Sequence, residues 1–429
     1  MRIFNIINVL FLLWLAVSCK KSNSNPGSGS GFKVFATHHS IIGVRTIRLA
    51  NGNFVAAMQE TDNLNYCLLI DIDSTGREIW RREFANDLKI VTDLQPTQDT
   101  GIIIASIDDS SQLNCYLTAL SSNGAMRWNT TYTPNIDSFL VQSVVLGVSP
   151  DNSVSLLVGM SNPVDSGYNK LSCLKYSSQG QKLSENVINT GTDLIFSCLQ
   201  MTNNNNGFLI SGFYRNRLAW RNKLFSDGSF LLNTDNIGNV NWLKLQPLDS
   251  IYGGSLTKYA TFTGTGICCA GSESCFQSGI ITQLSAGTQF MRSFPMTDLG
   301  NLMPLNTGNL LVLKANPLTG DTISVNTYQL QNVSKRAVIC CTADGGCIVA
   351  ATDNIYTYDS YYPIHTTLLK LDQNLAVQWQ QGYNFPYTTS PFGIFQTAGG
   401  KFLMFAVITS MNSYTDLALI KTDSKGNIK

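Results

Sequence analysis

Charged residues are scarce in this chain of 429 residues. Only 13% of them are Asp, Glu, Lys or Arg, against roughly 25% in ordinary soluble proteins. The formal net charge is +1, and basic residues occur together only in pairs such as Lys20-Lys21 and Arg81-Arg82. A nucleic-acid-binding protein needs a basic patch to meet the phosphates, so we exclude nucleic acid as a partner.

Residues and motifs that usually perform catalysis are also rare. The chain has three histidines, His38, His39 and His365, and neighbours on a strand point to opposite faces. His38 and His39 are therefore not expected to serve one site. There is no nucleophile elbow, phosphate loop or dinucleotide fingerprint. Asp71–Gly76 partly matches a calcium loop, but Arg82 stands where the bidentate Glu is required. The sequence predicts no catalytic residue, metal or cofactor.

Long hydrophobic runs are missing, apart from one near the N-terminus. Arg2 precedes an apolar run over residues 3–17, which is shorter than the about 20 residues that a membrane-spanning helix needs. Such a run is typical of a secretory signal peptide. The Ser/Asn/Gly-rich residues 20–31 predict a flexible tether. The predicted organisation is a signal peptide at 1–19, a tether at 20–31 and one folded domain at 32–429.

What the chain does contain is a repeated pattern. A turn rich in Gly, Asn or Asp precedes a short apolar strand about eight times, as in Asn51-Gly52-Asn53 and Gly399-Gly400-Lys401. A second apolar strand ends in another polar turn, as at Asp73–Gly76. No segment after residue 31 has the pattern of a long capped amphipathic helix. Short strands separated by turn signals predict an all-β fold.

The repeat predicts a single β-propeller. Each unit has room for four strands, and a lone four-stranded sheet leaves both faces uncovered unless sheets stack radially. We expect eight four-stranded blades, with seven as the alternative because the sixth unit is poorly defined near Asn332. Only three residues follow Gly426, so we expect the strand at 32–36 to complete the last blade and close the ring.

Several repeats resemble those of quinoprotein-type (PQQ-like) propellers. The resemblance is carried by LIDIDSTGREIW at 69–80, ALSSNGAMRW at 119–128 and LDQNLAVQW at 371–379. In those families a Trp four residues after the turn Gly docks between neighbouring blades. It implies a structural role for Trp80, Trp128 and Trp379 and for the turn residues Gly76 and Gly124. Three of the eight expected units keep this Trp, and the resemblance extends to architecture only.

Residues 15–19 (LAVSC) resemble a bacterial lipobox. The resemblance implies that Cys19 is lipidated and holds the mature protein at a membrane. Exported surface lipoproteins carry acidic residues after this Cys, whereas Lys20-Lys21 are basic. We therefore expect an outer-membrane lipoprotein of the cell envelope that faces the periplasm rather than the cell surface.

The cysteines of this chain are numerous and regularly spaced. Of the eleven cysteines, six lie in two groups of identical spacing: Cys268-Cys269-x5-Cys275 and Cys340-Cys341-x5-Cys347. The first group is expected beyond the second strand of its unit, and the second across the first turn. In an oxidising compartment these six are candidate disulfide partners, or they are small buried strand residues. Their spacing does not match a zinc site.

Loops rich in aromatic residues are the best candidates for a binding surface. Exposed Tyr and Trp with Arg are favoured at interfaces, and the alternative is that the rings pack against their own blades. The predicted binding residues are Tyr214, Trp220, Arg221, Tyr356, Tyr358, Tyr361, Tyr362, Tyr383 and Tyr387.

The sequence thus predicts a non-catalytic, membrane-tethered propeller with a monomeric body that binds an envelope protein. The alternatives are a glycan-binding propeller that uses the aromatic loops, and a quinoprotein-like enzyme.

Overall fold

A computed structural model of the chain shows that its secondary structure consists of short β-strands. The structure describes residues 31–63, 66–85, 88–108, 113–134, 139–161, 169–188, 194–204, 207–216, 228–247, 260–270, 274–283, 308–330, 333–353, 356–357, 360–361, 365–385, 388–409 and 415–428. Across these ranges, no helix has the length and apolar character needed to cross a membrane. The predicted signal peptide, Cys19 and nearly all of the tether lie outside the described residues.

The strands form seven antiparallel sheets of four strands each. The first strand, β1 (Phe32–His39), belongs to the last sheet. Blade 1 contains β2 (Ile41–Arg48), β3 (Phe54–Glu60), β4 (Tyr66–Ile72) and β5 (Glu78–Ala85). Blade 2 contains β6 (Ile90–Pro96), β7 (Ile102–Ile107), β8 (Cys115–Leu120) and β9 (Met126–Tyr132). Blade 3 contains β10 (Leu140–Val148), β11 (Val154–Ser161), β12 (Asn169–Tyr176) and β13 (Lys182–Ile188).

The remaining blades follow the same order. Blade 4 contains β14 (Leu194–Asn204), β15 (Gly207–Asn216), β16 (Gly228–Asp235) and β17 (Val240–Pro247). Blade 5 contains β18 (Ala260–Ala270), β19 (Ser274–Gln283), β20 (Gly308–Ala315) and β21 (Thr322–Tyr328). Blade 6 contains β22 (Val333–Cys341), β23 (Cys347–Asp353), β26 (His365–Leu371) and β27 (Val377–Asn384), with the small ribbon β24 (Tyr356–Thr357) and β25 (Ser360–Tyr361) between its second and third strands. Blade 7 contains β28 (Thr388–Gln396), β29 (Phe402–Thr409) and β30 (Thr415–Thr422), completed by β1.

The first strands of the blades form the inner ring. β2, β6, β10, β14, β18, β22 and β28 each contact the next in this order, and β28 contacts β2 again. The second and third strands are covered by neighbouring blades, so β3 and β4 are buried almost throughout. The fourth strands lie at the rim, where every residue of β5 except Phe84 is half-buried or exposed. The single all-β propeller predicted from the repeat is therefore confirmed.

The hydrophobic core is divided among the interfaces between blades. Seven clusters of buried side chains each join two successive blades, and the seventh joins blade 7 to blade 1. In that last cluster Phe54 and Met58 of blade 1 meet Phe405 and Leu419 of blade 7. Every blade thus depends on its neighbours to exclude water from its apolar faces.

The N-terminal strand closes the ring as expected. β1 pairs antiparallel with β30, with Phe32 opposite Ile420 and Phe35 opposite Leu417. Phe35 is buried in the core between blades 7 and 1. The two ends of the described domain are thereby held in one sheet.

The predicted count of eight blades is wrong, and blade 5 explains the error. Thr265-Gly266 and Thr307-Gly308 both match the sequence pattern of a first turn and therefore predict two separate units. Gly266 instead lies inside β18, next to a register shift, and Gly308 is the first residue of β20 of the same blade. Residues 284–307 between β19 and β20 lie outside the described ranges. One blade with a long connection was therefore counted as two.

The turns between third and fourth strands show a related error. The sequence pattern predicts such a turn at Gly228, yet Gly228 is the first residue of β16. The turn of blade 4 contains Gly238 instead, which has a φ of 88°. Gly287 and Asn332, the next two expected turn sites, lie outside the described residues, and the turn of blade 5 contains Gly320.

Several tryptophans contact a turn of the next blade. The indole N–H of Trp80 donates to the Ser122 carbonyl of blade 2, at 2.8 Å. Trp128 donates to the Ser178 carbonyl of blade 3, at 2.9 Å, and Trp379 packs against Gly426 of blade 7. The sequence interpretation missed Trp242, four residues after Gly238, which donates to the Leu318 carbonyl of blade 5, at 2.6 Å.

Candidate functional site

A His–Glu–Tyr cluster lies where blade 7 meets blade 1. His39 ends β1, Glu60 ends β3 and Tyr66 begins β4. His39 lies where the chain passes from β1, the outer strand of blade 7, to β2 of blade 1. Glu60 and Tyr66 lie at the connection between the second and third strands of blade 1. Connections of these two types emerge on one face of the ring, so ring closure brings the three side chains together.

An irregular backbone presents His39. The pairing of β1 with β30 shifts register between Phe35 and His39, and His38 has a φ of 61°. A non-glycine residue rarely adopts this left-handed conformation, and such residues concentrate at functional sites. The sequence interpretation assumed that the side chains of His38 and His39 point to opposite faces of a regular strand. The register shift means that this regular alternation does not apply to His39.

A polar network fixes this backbone. The Thr37 amide donates to the Asp416 carboxylate at 3.0 Å, and the Thr37 hydroxyl donates to the Thr415 carbonyl. The Thr415 hydroxyl in turn accepts from the Ile41 amide and donates to the Ile41 carbonyl. Because these bonds join β1, β2 and β30, the position of His39 is fixed from three strands.

Glu60 and Tyr66 orient the imidazole. Nδ1 of His39 lies 3.1 Å from Oε1 of Glu60, and the rings of His39 and Tyr66 have centroids 4.5 Å apart. The His39 side chain is 31% exposed and that of Glu60 17%. When the imidazole is neutral and Glu60 accepts from it, Nδ1 carries the proton and Nε2 keeps its lone pair. The arrangement thus holds a partly exposed imidazole in one tautomer.

Tyr66 lies beneath this pair. The residue is 7% exposed, and its hydroxyl has no hydrogen-bond partner of normal geometry among the described residues. Burial raises the pKa of Tyr66 well above its usual value, and the nearby carboxylates of Glu83 and Glu60 raise it further. Tyr66 therefore stays protonated at neutral pH, and its ring packs against the imidazole of His39.

The inner ring contains a second buried polar group. Asp93 of β6 is fully buried and accepts hydrogen bonds from Arg45 of β2, from its neighbour Leu94 and from Leu146 of β10. Burial raises the pKa of Asp93, while the Arg45 charge and the backbone donors oppose that rise. This carboxyl ties blades 1, 2 and 3 together, which is a structural task.

A cavity of about 220 Å³ lies at the turns between blades 2 and 3. Asp99 and Arg127 in its wall pair with each other, and Trp128 is occupied by docking on blade 3. The residues that line this cavity include no histidine, so the cavity lacks an arrangement like the one around His39.

Across the described ranges, no three His, Cys, Asp or Glu side chains converge as metal ligands.

The structure describes few of the predicted binding residues. Tyr214 is buried between blades 3 and 4, and Tyr383 is buried with its hydroxyl donating to the Gly426 carbonyl. These two rings pack between blades. Tyr356 and Tyr361 oppose each other in the β24–β25 ribbon. Trp220, Arg221, Tyr358, Tyr362 and Tyr387 lie outside the described residues. The aromatic binding patch stays a prediction.

Sequence reasoning missed the cluster around His39. The histidine was recognised, but Glu60 and Tyr66 were not associated with it. The predicted ring closure could have revealed the cluster. A strand that completes the last blade must end next to the connection between the second and third strands of blade 1.

No family model and no curated protein matches the chain, so the quinoprotein and lipoprotein resemblances receive no support beyond the propeller fold. Solved structures do match. Polysaccharide lyase Uly1 has a TM-score of 0.53 at 8% identity, with 89% of this chain and 90% of that chain covered. A Synechocystis apocarotenoid oxygenase mutant has a TM-score of 0.46 at 10% identity, covering 92% and 94% of the two chains. A Pseudomonas brassicacearum lignostilbene dioxygenase has 0.47 at 10%, covering 94% and 93%.

These neighbours correct the predicted function. The sequence interpretation gave a non-catalytic binding propeller, whereas polysaccharide lyase Uly1, which matches with a TM-score of 0.53, is an enzyme by its name. The prediction that the chain is not an enzyme is therefore wrong on this comparison. At 8–10% identity the likeness itself shows the fold, so an activity has to be argued from the residues of this chain.

Proposed function

We propose that this protein is an enzyme that cleaves a polysaccharide by proton transfer, with His39 as the proton-accepting group. The observation that carries the proposal is the contact of 3.1 Å between Nδ1 of His39 and the Glu60 carboxylate, at a partly exposed imidazole. A histidine held in one tautomer by a carboxylate is a recurrent arrangement for general acid–base catalysis.

The roles of the three side chains follow from their exposure. Glu60 holds the proton on Nδ1, so the lone pair on Nε2 takes a proton from the sugar carbon beside a carboxylate. The electron pair of that C–H bond forms a C=C bond, the glycosidic C–O bond breaks, and the leaving oxygen takes a proton from water. Tyr66 is enclosed, and its contribution is to fix the plane of the imidazole. The catalytic residue is therefore His39, and Glu60 and Tyr66 are positioning residues.

A polysaccharide is the substrate class that we favour. A surface with few charges and many Asn, Ser, Thr and Gln side chains suits hydroxyl-rich ligands, because these side chains both donate and accept hydrogen bonds. A solved structure that shares this fold with a TM-score of 0.53 is named as a polysaccharide lyase. That name suggests which substrates to test first.

The experiment compares depolymerisation by the chain from residue 20 and by its variants. Neutral and uronic-acid-containing polysaccharides are supplied, and products are followed by chain length, reducing ends and the ultraviolet absorbance of unsaturated sugars. We expect His39→Gln to lower kcat by about 100-fold or more, the usual share of a general base, and Glu60→Gln to cause a smaller loss.

His38→Asn is the matched control. Asn tolerates a positive φ, so this variant removes a neighbouring imidazole without straining the backbone, and it should keep full activity. Wild-type protein that cleaves none of the polysaccharides would refute the substrate class. A His39→Gln variant that is as active as wild type would refute the assignment of the base.

We further propose that the mature protein is held through a lipid on Cys19 at the periplasmic side of the outer membrane. The lipobox-like residues 15–19 and the basic Lys20-Lys21 support this location. Membrane fractionation of a Cys19→Ala variant checks it, since an unchanged membrane-bound fraction would contradict the anchor.

A further inference from the structure

Six cysteines occupy equivalent places in blades 5 and 6. The hairpin of β18 and β19 carries Cys268, Cys269 and Cys275, and the hairpin of β22 and β23 carries Cys340, Cys341 and Cys347. The sequence interpretation placed the two groups at different turns, which is wrong. Both lie across the first turn of their blade, where Cys269 faces Cys275 and Cys341 faces Cys347.

The register of these pairs suits a covalent bond. In blade 6 the Thr342 amide donates to the Gly346 carbonyl at 3.0 Å and closes the turn. Antiparallel pairs alternate between bonded and non-bonded types, so the next pair, Cys341 and Cys347, is non-bonded, with Cα atoms about 4.5 Å apart. This separation lies within the range of disulfides. In blade 5 the pair Cys269–Cys275 occupies the same offset from its turn.

The other two cysteines have no such partner within their hairpins. Cys268 lies opposite Phe276, and Cys340 lies opposite Ile348. Both side chains point to the strand face opposite their neighbours Cys269 and Cys341. Cys268 packs into the core between blades 5 and 6 beside Cys341 and Cys347, so a bond between Cys268 and Cys341 is the competing connection.

We propose that Cys269–Cys275 and Cys341–Cys347 become disulfides when the chain folds in the presence of a small-molecule disulfide oxidant. The thiolate of one cysteine attacks the oxidant and releases one thiol, and the thiolate of its partner then displaces the second. Each bond formed removes two electrons and two protons from the pair, and the oxidant leaves as two thiols. Cys268 and Cys340 remain thiols.

The folded structure explains why the bonds must form early. All six residues are thiols here and are buried or half-buried. The contact with Cys269 raises the pKa of the Cys275 thiol, as does burial, and burial raises the pKa of Cys347. Because the thiolate is the attacking species, exchange is slow once the blades have closed around these groups.

The test refolds the reduced, unfolded chain from residue 20 with oxidised and reduced glutathione, and in parallel with a reductant alone. Free thiols are alkylated with one reagent. The protein is then denatured, reduced and alkylated with a second reagent of different mass, and peptides are sequenced by mass spectrometry. We expect the second label on Cys269, Cys275, Cys341 and Cys347 only after oxidative refolding. Unreduced digests should show the two stated pairs.

Two variants assign the pairs. Cys269→Ser should move Cys275 alone to the first label, and Cys341→Ser should do so for Cys347 alone. If all described cysteines of wild-type protein carry the first label after oxidative refolding, or if Cys268 is linked to Cys341, the proposal is overturned. The labelling pattern of the wild type decides the matter even if a variant fails to fold, and it is independent of any polysaccharide activity.

Discussion

A single buried cation illustrates how side chains stabilise this propeller. Lys370 on β26 is 4% exposed, and its ammonium donates to both oxygens of Asp344, at 3.0 and 2.8 Å, and to the Leu371 carbonyl. Asp344 belongs to the first turn of blade 6. The Asp344 side chain is 44% exposed, but that of Lys370 is only 5% exposed. A buried charge that loses its partner is costly, so this ion pair should contribute more than pairs in which both side chains are exposed.

We expect Asp344→Asn to lower the free energy of unfolding by about 1–3 kcal/mol, the usual range for a hydrogen bond to a charged group. Denaturant unfolding measures the change. The matched control is Asp99→Asn, because Asp99 and Arg127 form an exposed pair that should contribute less than about 1 kcal/mol. Equal effects of the two substitutions would contradict the argument from burial.

The same variant should change the acid stability. Burial opposes ionisation of Asp344, but the hydrogen bonds from Lys370 and Thr342 prevail and lower its pKa from 3.8 to about 2. A depressed folded-state pKa contributes stability above the unfolded value, and that stability is lost as the pH falls through the folded value. The wild type should lose stability between about pH 4 and pH 2 more steeply than Asp344→Asn.

At the scale of elements, four of the seven blades contact the next blade through a Trp ring that packs on a turn. Trp80 of β5 donates to the Ser122 carbonyl and packs on Gly124 of blade 2. The resemblance to quinoprotein-type repeats implied such a contact for Trp80, Trp128 and Trp379. Trp242 was missed because Gly228 was mistaken for the turn Gly of its blade. A strand-initial glycine and a turn glycine look alike in a sequence.

We expect Gly124→Ala to destabilise the protein by about 1–2 kcal/mol more than Gly52→Ala. Both glycines have positive φ, 77° and 88°, so both substitutions strain the backbone. A Cβ at Gly124 would lie 2.8 Å from Arg82 and 3.1 Å from Trp80, whereas a Cβ at Gly52 meets nothing within 4 Å. Thermal unfolding of both variants measures the difference, and indistinguishable midpoints would show that docking contributes little.

At the scale of the whole molecule, stability depends on closure. Each core cluster joins two blades, and the cluster between blades 7 and 1 includes Phe35 from β1. Without β1, the edge of β30 loses its partner strand. An unpaired edge strand invites association with other chains.

A chain that starts at Ser40 should therefore unfold at a lower temperature than one that starts at Gly31, and it should self-associate. Calorimetry measures the midpoint, and light scattering measures the mass. The Gly31 chain is the control, because it keeps β1 and the bond from the Lys421 amide to the Gly31 carbonyl. A monomeric Ser40 chain with an unchanged midpoint would show that the ring is stable without its N-terminal strand.

The amino-acid sequence by itself determined the strand content, the radial stacking and the closing role of β1. These properties follow from apolar runs and turn residues, which are local features. The tertiary structure alone decided that there are seven blades, because the long connection at 284–307 separates strands of one sheet and imitates a boundary between two. It also decided that His39 meets Glu60 and Tyr66, since these residues come from different blades and converge only when the two ends of the ring are joined.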